Sequence, residues 1–139
     1  MKKSYWLFKT EPETYSFQQL IKDKKTHWNG VRNFQARNNL RAAKEGDLVI
    51  IYHSGDERAA VGVAEVVREA YPDLDPKKPG DWVQIDIVPV SAFKMPIPLA
   101  QIKADARFKE VQLIKQSRLS VMPLQKEHFD LLRKLGESK

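Results

Sequence analysis

The stretch that most constrains this fold is Asp47-Leu48-Val49-Ile50-Ile51-Tyr52, which after its opening Asp47 is an unbroken apolar run of strand length. A strand that carries apolar residues on both faces must be covered on both, so it belongs in the middle of a sheet. His53-Ser54-Gly55-Asp56 closes the run as a turn, and residues 60–67 read as a second strand returning antiparallel. Gly62 within it permits close backbone approach, at a bulge or beside a ligand. A central strand needs apolar neighbours, and Tyr5-Trp6-Leu7-Phe8 supplies one that is buried on both faces. Residues 82–87 supply another, with Val83, Ile85 and Ile87 pointing inward and Gln84 and Asp86 outward. Pro89, Pro96 and Pro98 then confine the chain to an edge or a crossing connection. Residues 117–123 alternate polar with apolar, as a strand with one solvent-facing or pocket-facing side would.

Helical signals are shorter. Ser16 and Gln19 form a capping-box pattern ahead of Leu20 and Ile21, with Lys22 to Lys25 as the solvated end. Residues 33–44 set Ala36, Leu40 and Ala43 on one face and Arg37 and Arg41 on another, and Gly46 is the expected stop. Leu99 and Ile102 suggest one helical turn. Residues 126–135 place Phe129, Leu132 and Leu135 on a stripe that ends at Gly136, the pattern of a docking helix. Residues 70–81, rich in proline, read as an exposed loop. The expected class is α+β: a small, partly closed β-barrel of five to six strands with peripheral helices.

With 139 residues the chain fits a single domain, residues 1–139, that buries a core without disulfide or metal. It has no cysteine, which excludes thiol catalysis and a zinc ribbon, and His27, His53 and His128 lack ligand spacing. Neither a metal nor a cofactor is expected. No apolar run has the length of a membrane span and Met1-Lys2-Lys3 opens no secretory segment, so the expected location is cytoplasmic, or nuclear in a nucleated source. The net charge of +6 favours polyanionic partners, although solubility alone would explain it.

Chemistry concentrates in WNGVRNFQARNN, residues 28–39. An indole can stack on a planar ring, and asparagine and arginine can hydrogen-bond ring edges or phosphates in paired geometries. The alternative gives Trp28 to the core, Asn29-Gly30 to a turn and Asn33 to a helix cap. Three further polar clusters end or border apolar strands: Lys9-Thr10-Glu11, His53-Ser54 and Ser117-Arg118-Leu119-Ser120. The four are expected to converge on one pocket, with Ser117 to Ser120 as a wall opposite Trp28 and Arg118 facing either an acid such as Glu11 or the cleft.

The runs YWLFKTEPETYS (5–16), WNGVRNFQARN (28–38), GDLVIIYHSG (46–55), VGVAEVVREAYPD (61–73) and QSRLSVMPL (116–124) resemble, in the same order, the signatures of the EVE domain family. The resemblance implies a PUA-like fold and kinship with YTH domains, which read methylated adenine in RNA through an aromatic cage. It further implies recognition of modified cytosines in DNA and, in bacteria, restriction or modification machinery as a partner. Carried over residue by residue, Lys9 and Thr10 match the pocket residues after the first strand, Trp28 the first cage tryptophan and Asn33 the asparagine downstream. The chain departs from the YTH pattern after the central strand, where His53-Ser54 stand in place of a second cage tryptophan.

The expected base-binding set is therefore Lys9, Thr10, Glu11, Trp28, Asn29, Val31, Arg32, Asn33, His53, Ser54, Arg118, Leu119 and Ser120, with Arg32, Arg37 and Arg118 on phosphates. The favoured function is a non-catalytic reader that accommodates a flipped modified base, with DNA preferred over RNA. A PUA-type RNA-binding module is the alternative. A hydrolase or glycosylase built on Glu11, Asp56 or His53 with Ser54 as nucleophile is disfavoured, because adjacent side chains on an extended segment point to opposite faces.

Overall fold

The computed structural model describes residues 3–137. Six strands form one sheet: β1 (Tyr5–Thr10), β2 (Thr26–Trp28), β3 (Leu48–His53), β4 (Ala59–Pro72), β5 (Val83–Pro98) and β6 (Val121–Leu124). Their order is β2-β5-β4-β3-β1-β6, and no strand pairing among the described residues closes β2 onto β6. The sheet is thus an open, strongly irregular version of the expected barrel. Five helices lie around it: α1 (Phe17–Asp23), α2 (Phe34–Ala42), α3 (Leu99–Ala104), α4 (Gln112–Lys115) and α5 (Lys126–Leu135), with a 3-10 turn at Ala106–Phe108.

As its apolar run requires, β3 is central, with β4 antiparallel on one side and β1 parallel on the other. Val49, Ile50, Ile51 and Tyr52 are all buried, each withdrawing apolar area worth about 1.5–3 kcal/mol. Buried Asp47 ties the start of β3 to its surroundings, accepting from Ser4 N, Trp6 Nε1 and Lys44 N at 2.8–3.0 Å. Gly62, beside a register shift in β4, admits an aromatic ring: a Cβ there would lie 2.6 Å from Phe17 Cζ. Its role is close approach within the core, not beside a ligand.

Several elements differ from expectation. Thr26-His27-Trp28 form an edge strand against β5, a pairing too short to leave a periodic signal. β4 runs on to Pro72, into the segment read as loop. β5 continues through Pro89 and Pro96 to Pro98, which is tolerated because β2 pairs only with residues 85–87 and leaves the rest of that side without a strand. Asp86 points into a buried site rather than to water, where His27 and Tyr71 satisfy it. Helix α2 stops at Ala42, short of Gly46, which instead makes the turn into β3 at φ +93° and donates its N–H to Val66 O. Residues 117–120 are not strand: Ser117 and Arg118 form a turn and β6 begins only at Val121. Gly136 does end α5, but in a right-handed conformation, and its missing Cβ makes room for Phe93.

Candidate nucleic-acid interface

The strand directions decide where polar residues collect. Because β1 and β3 are parallel and β6 is antiparallel to β1, the end of β1, the end of β3 and the approach to β6 share one side of the sheet, with Thr10 opposite His53 and Phe8 opposite Val121. Lys9 N donates to Ser120 O and Ser54 N to Thr10 O, which staples these ends together. A cleft of about 460 Å³ opens beside them, within the range of small-molecule sites. Lys9, Thr10 and Ser120 line one part and Trp28, Asn29, Gly30, Val31 and Arg32 another, and Thr14, Tyr15, Thr26 and His27 complete it.

Trp28 is a core residue that also borders the cleft. It is only 8% exposed and packs against Phe8 with ring centroids 5.4 Å apart, so it belongs to the core. It also lines the cleft, and its indole N–H has no partner among the described residues and is not sealed from solvent. The side-chain amide of exposed Asn29 and the hydroxyl of Ser120 likewise have no partner among the described residues. These are unspent hydrogen-bonding groups around an aromatic wall.

Other groups in the wall are fixed. Thr10 Oγ1 donates to Tyr15 O, and the Tyr15 hydroxyl donates to Asp23. Burial pushes the Tyr15 phenol above its ordinary value. Lys9 donates to the Ser117 carbonyl and lies over the Tyr52 ring, and its partial burial lowers the pKa of its ammonium group. Gly30 turns the chain at φ +79° and donates its N–H to Asp73, which also accepts from Arg32 at 2.9 Å. Partial burial opposes ionisation of Asp73, but the Arg32 and Gly30 hydrogen bonds and the guanidinium charge outweigh it and hold the carboxyl below its usual value. One Arg32 nitrogen is thus committed to Asp73 and the Val31 carbonyl, while its buried Nε has no oxygen partner and the guanidinium lies over the Trp82 ring. Where His27 lines the cleft, its Nδ1, Asp86 and the Tyr71 hydroxyl form a tight triad. Burial and Asp86 together push Tyr71 up to about 12.

The remaining expected site residues lie elsewhere. Exposed Glu11 forms neither an ion pair with Lys9 nor one with Arg118; its backbone carbonyl holds the turn by accepting from Thr14 and Tyr15 N–H. His53 is buried behind the cleft, its Nε2 accepting from Phe17 N and its Nδ1 facing Glu57. Ser54 does not line the cleft. Asn33 caps α2 by accepting from Ala36 N, and with Arg118 and Leu119 it borders a separate groove of about 350 Å³. Arg118 is exposed there, so the turn at 117–118 carries it away from Trp28 while Ser120 stays in the Trp28 wall. Arg37 leans on Asn38 and the Asp81 carbonyl. Tyr15, Thr26 and His27 line the cleft and Asp73 and Trp82 hold Arg32 behind it, none of them in the expected set; apart from Tyr15, whose partners are local, each enters through a partner far along the chain. The one available signal was Asp73 as an acid downstream of a strand, free to meet Arg32.

Comparison with known proteins places the family and the fold. The EVE domain model matches residues 4–135. The chain is 36% identical to human thymocyte nuclear protein 1 over 96% of this chain and 74% of that protein. It superposes on the crystal structure of human THYN1 in complex with 5-methylcytosine-containing DNA with TM-score 0.88 and 35% identity, covering 99% of both chains. Protein Atu2648 from Agrobacterium tumefaciens gives TM-score 0.91 at 34% identity, covering 97% of this chain and 94% of that one. The MmI1 YTH domain shares the fold alone, with TM-score 0.58 at 14% identity over 96% of this chain and 94% of that one. With its motifs, its fold and its matches agreeing over nearly the whole length, this chain belongs to the EVE domain family.

Proposed function

We propose that this protein is a non-catalytic reader of nucleic acid that takes one modified base, a modified cytosine in DNA, out of its strand and holds it in the Trp28 cleft. The observation that carries the reading is the set of unspent groups there: the Trp28 N–H, the Asn29 amide and the Ser120 hydroxyl surround an indole wall in an open cleft at the strand ends. A base in that cleft gains stacking of about 1–3 kcal/mol whatever its identity, so selectivity falls to the hydrogen bonds at its edge. The binding of 5-methylcytosine DNA by the THYN1 structure, similar over 99% of both chains, supports DNA over RNA. Extrusion costs a few kcal/mol of unstacking, which the cleft must offset.

The chemistry of the site argues against catalysis. Both ring nitrogens of His53 are engaged, by Phe17 N and Glu57, and His27, held through Nδ1 by Asp86 and Tyr71, has no serine or threonine hydroxyl bonded to its ring among the described residues. No serine in the cleft has either histidine as a hydrogen-bonded base. Fluorescence anisotropy with a duplex carrying one 5-methylcytosine, the same duplex unmodified, and the matching RNA tests the reading. Tighter binding of the modified duplex, lost in Trp28→Ala, is expected. Equal affinity for modified and plain DNA, or preference for RNA, would overturn it.

A further inference from the structure

Beside the cleft lies an aromatic surface that the base pocket does not use. Phe34, the first residue of α2, is 66% exposed, although nothing in the helix requires an aromatic there. Its ring stacks on Trp82 with centroids 5.3 Å apart and planes at 17°. Trp82 stacks on Phe34, yet the residue stays two-thirds exposed. Arg37 lies 5.1 Å from the Phe34 centroid and 5.8 Å from that of Trp82, and its guanidinium forms no ion pair among the described residues.

The surface is held in place. Gly80 lets the chain fold against Trp82, since a Cβ there would lie 2.6 Å from the indole nitrogen. Arg41 binds the Asp81 carboxylate at 2.9 Å and so ties this loop to α2, and Asp73 N donates to Trp82 O. It is also joined to the cleft, because the Arg32 guanidinium that lines the cleft lies 5.4 Å from the Trp82 ring. An exposed flat ring, an uncompensated guanidinium and a net charge of +6 fit a planar group carried on a polyanion.

We propose that Phe34, backed by Trp82, is a second stacking platform that holds the nucleobase flanking the one in the Trp28 cleft, with Arg37 on the adjoining phosphate. This rests on the cleft reading for what occupies the neighbouring position, but its stacking contact is separate. The platform makes binding depend on a neighbouring base as well as on the modified one. It favours no particular neighbour, because every base presents a π-face.

The test uses the full chain and two labelled oligonucleotides, each with one 5-methylcytosine, flanked in one case by ordinary nucleotides and in the other by abasic sites. Phe34→Ala is expected to weaken binding of the first about tenfold, the scale of one base–aromatic stack, and to leave the second unchanged. Phe34→Tyr should restore the wild-type value, and thermal melting should confirm that both variants fold. Equal penalties on the two oligonucleotides, or none on either, would overturn the platform. If wild-type protein shows no preference for the modified base while Phe34→Ala still weakens binding only where a flanking base is present, the cleft reading falls and the platform stands. If the preference persists and Phe34→Ala has no effect, the reverse holds.

Discussion

Trp28 is placed so that one substitution separates its two roles. Removing its side chain takes away an indole that is 8% exposed and in contact with Phe8, and truncations of buried aromatics cost about 3–5 kcal/mol. Because one edge of the indole already borders an open cleft, water enters the space left behind, and the lower end, about 3 kcal/mol, is expected for Trp28→Ala. For a chain of this size that is a fall in Tm of about 10 °C. Trp28→Phe keeps a ring against Phe8 and should cost only about 1 kcal/mol, while it deletes the indole N–H, which no group among the described residues accepts. Loss of that hydrogen bond to a base edge predicts roughly five- to tenfold weaker binding of the modified duplex. Calorimetry reads the first effect and anisotropy at a temperature where every variant is folded reads the second. Folded Trp28→Ala that kept the wild-type ratio of modified to plain affinity would refute the indole as the base platform, and Trp28→Phe with unchanged affinity for both duplexes would refute its N–H as a donor to the base.

Arg118, exposed in the groove beside Asn33, should act through phosphate alone, so Arg118→Ala is expected to weaken modified and plain duplexes equally and to lower the salt slope by about one. A loss confined to the modified duplex would place Arg118 on the base. Burial opposes ionisation of Asp86, but the His27 and Tyr71 hydrogen bonds and nearby positive charge hold its carboxyl below the usual range. Its contribution to stability is therefore present above the unfolded value, about 4, and is lost as pH falls through the lower folded value, so the Tm gap between wild type and Asp86→Asn should narrow below about pH 4. The same triad predicts that ultraviolet titration finds Tyr71 ionising near 12, and Asp86→Asn should bring it down. Gly62→Ala sets a Cβ 2.6 Å from the Phe17 ring and should cost about 1–3 kcal/mol by denaturant unfolding, an effect absent from Gly62→Ala in a Phe17→Leu background.

By itself the sequence determined the parts of the fold whose cause is local. The apolar run at 48–52 demands two covered faces and became the central strand, the Ser16 side chain caps the helix it precedes, and the stripe at Phe129 and Leu132 docks α5. The motif order was enough to recognise an EVE domain. What required the tertiary structure was every polar group whose partner lies across the fold. Asp86 looked solvent-facing by alternation, but His27 and Tyr71 satisfy it in a buried site. His53 looked like a pocket residue by its place after the central strand, yet the first backbone N–H of α1 claims its ring. Ser120 and Arg118 seemed to share a face, but a turn at 117–118 sends them to different clefts. The Phe34–Trp82 stack brings α2 against the loop before β5. Hydrophobic periodicity records which face of an element is covered, but not by what, and a hydrogen-bonding side chain is equally at home in water or against a distant partner. Strand order and register make that choice, and here they carry Ser120 to within reach of Lys9, far away in the chain, to build the wall of the cleft.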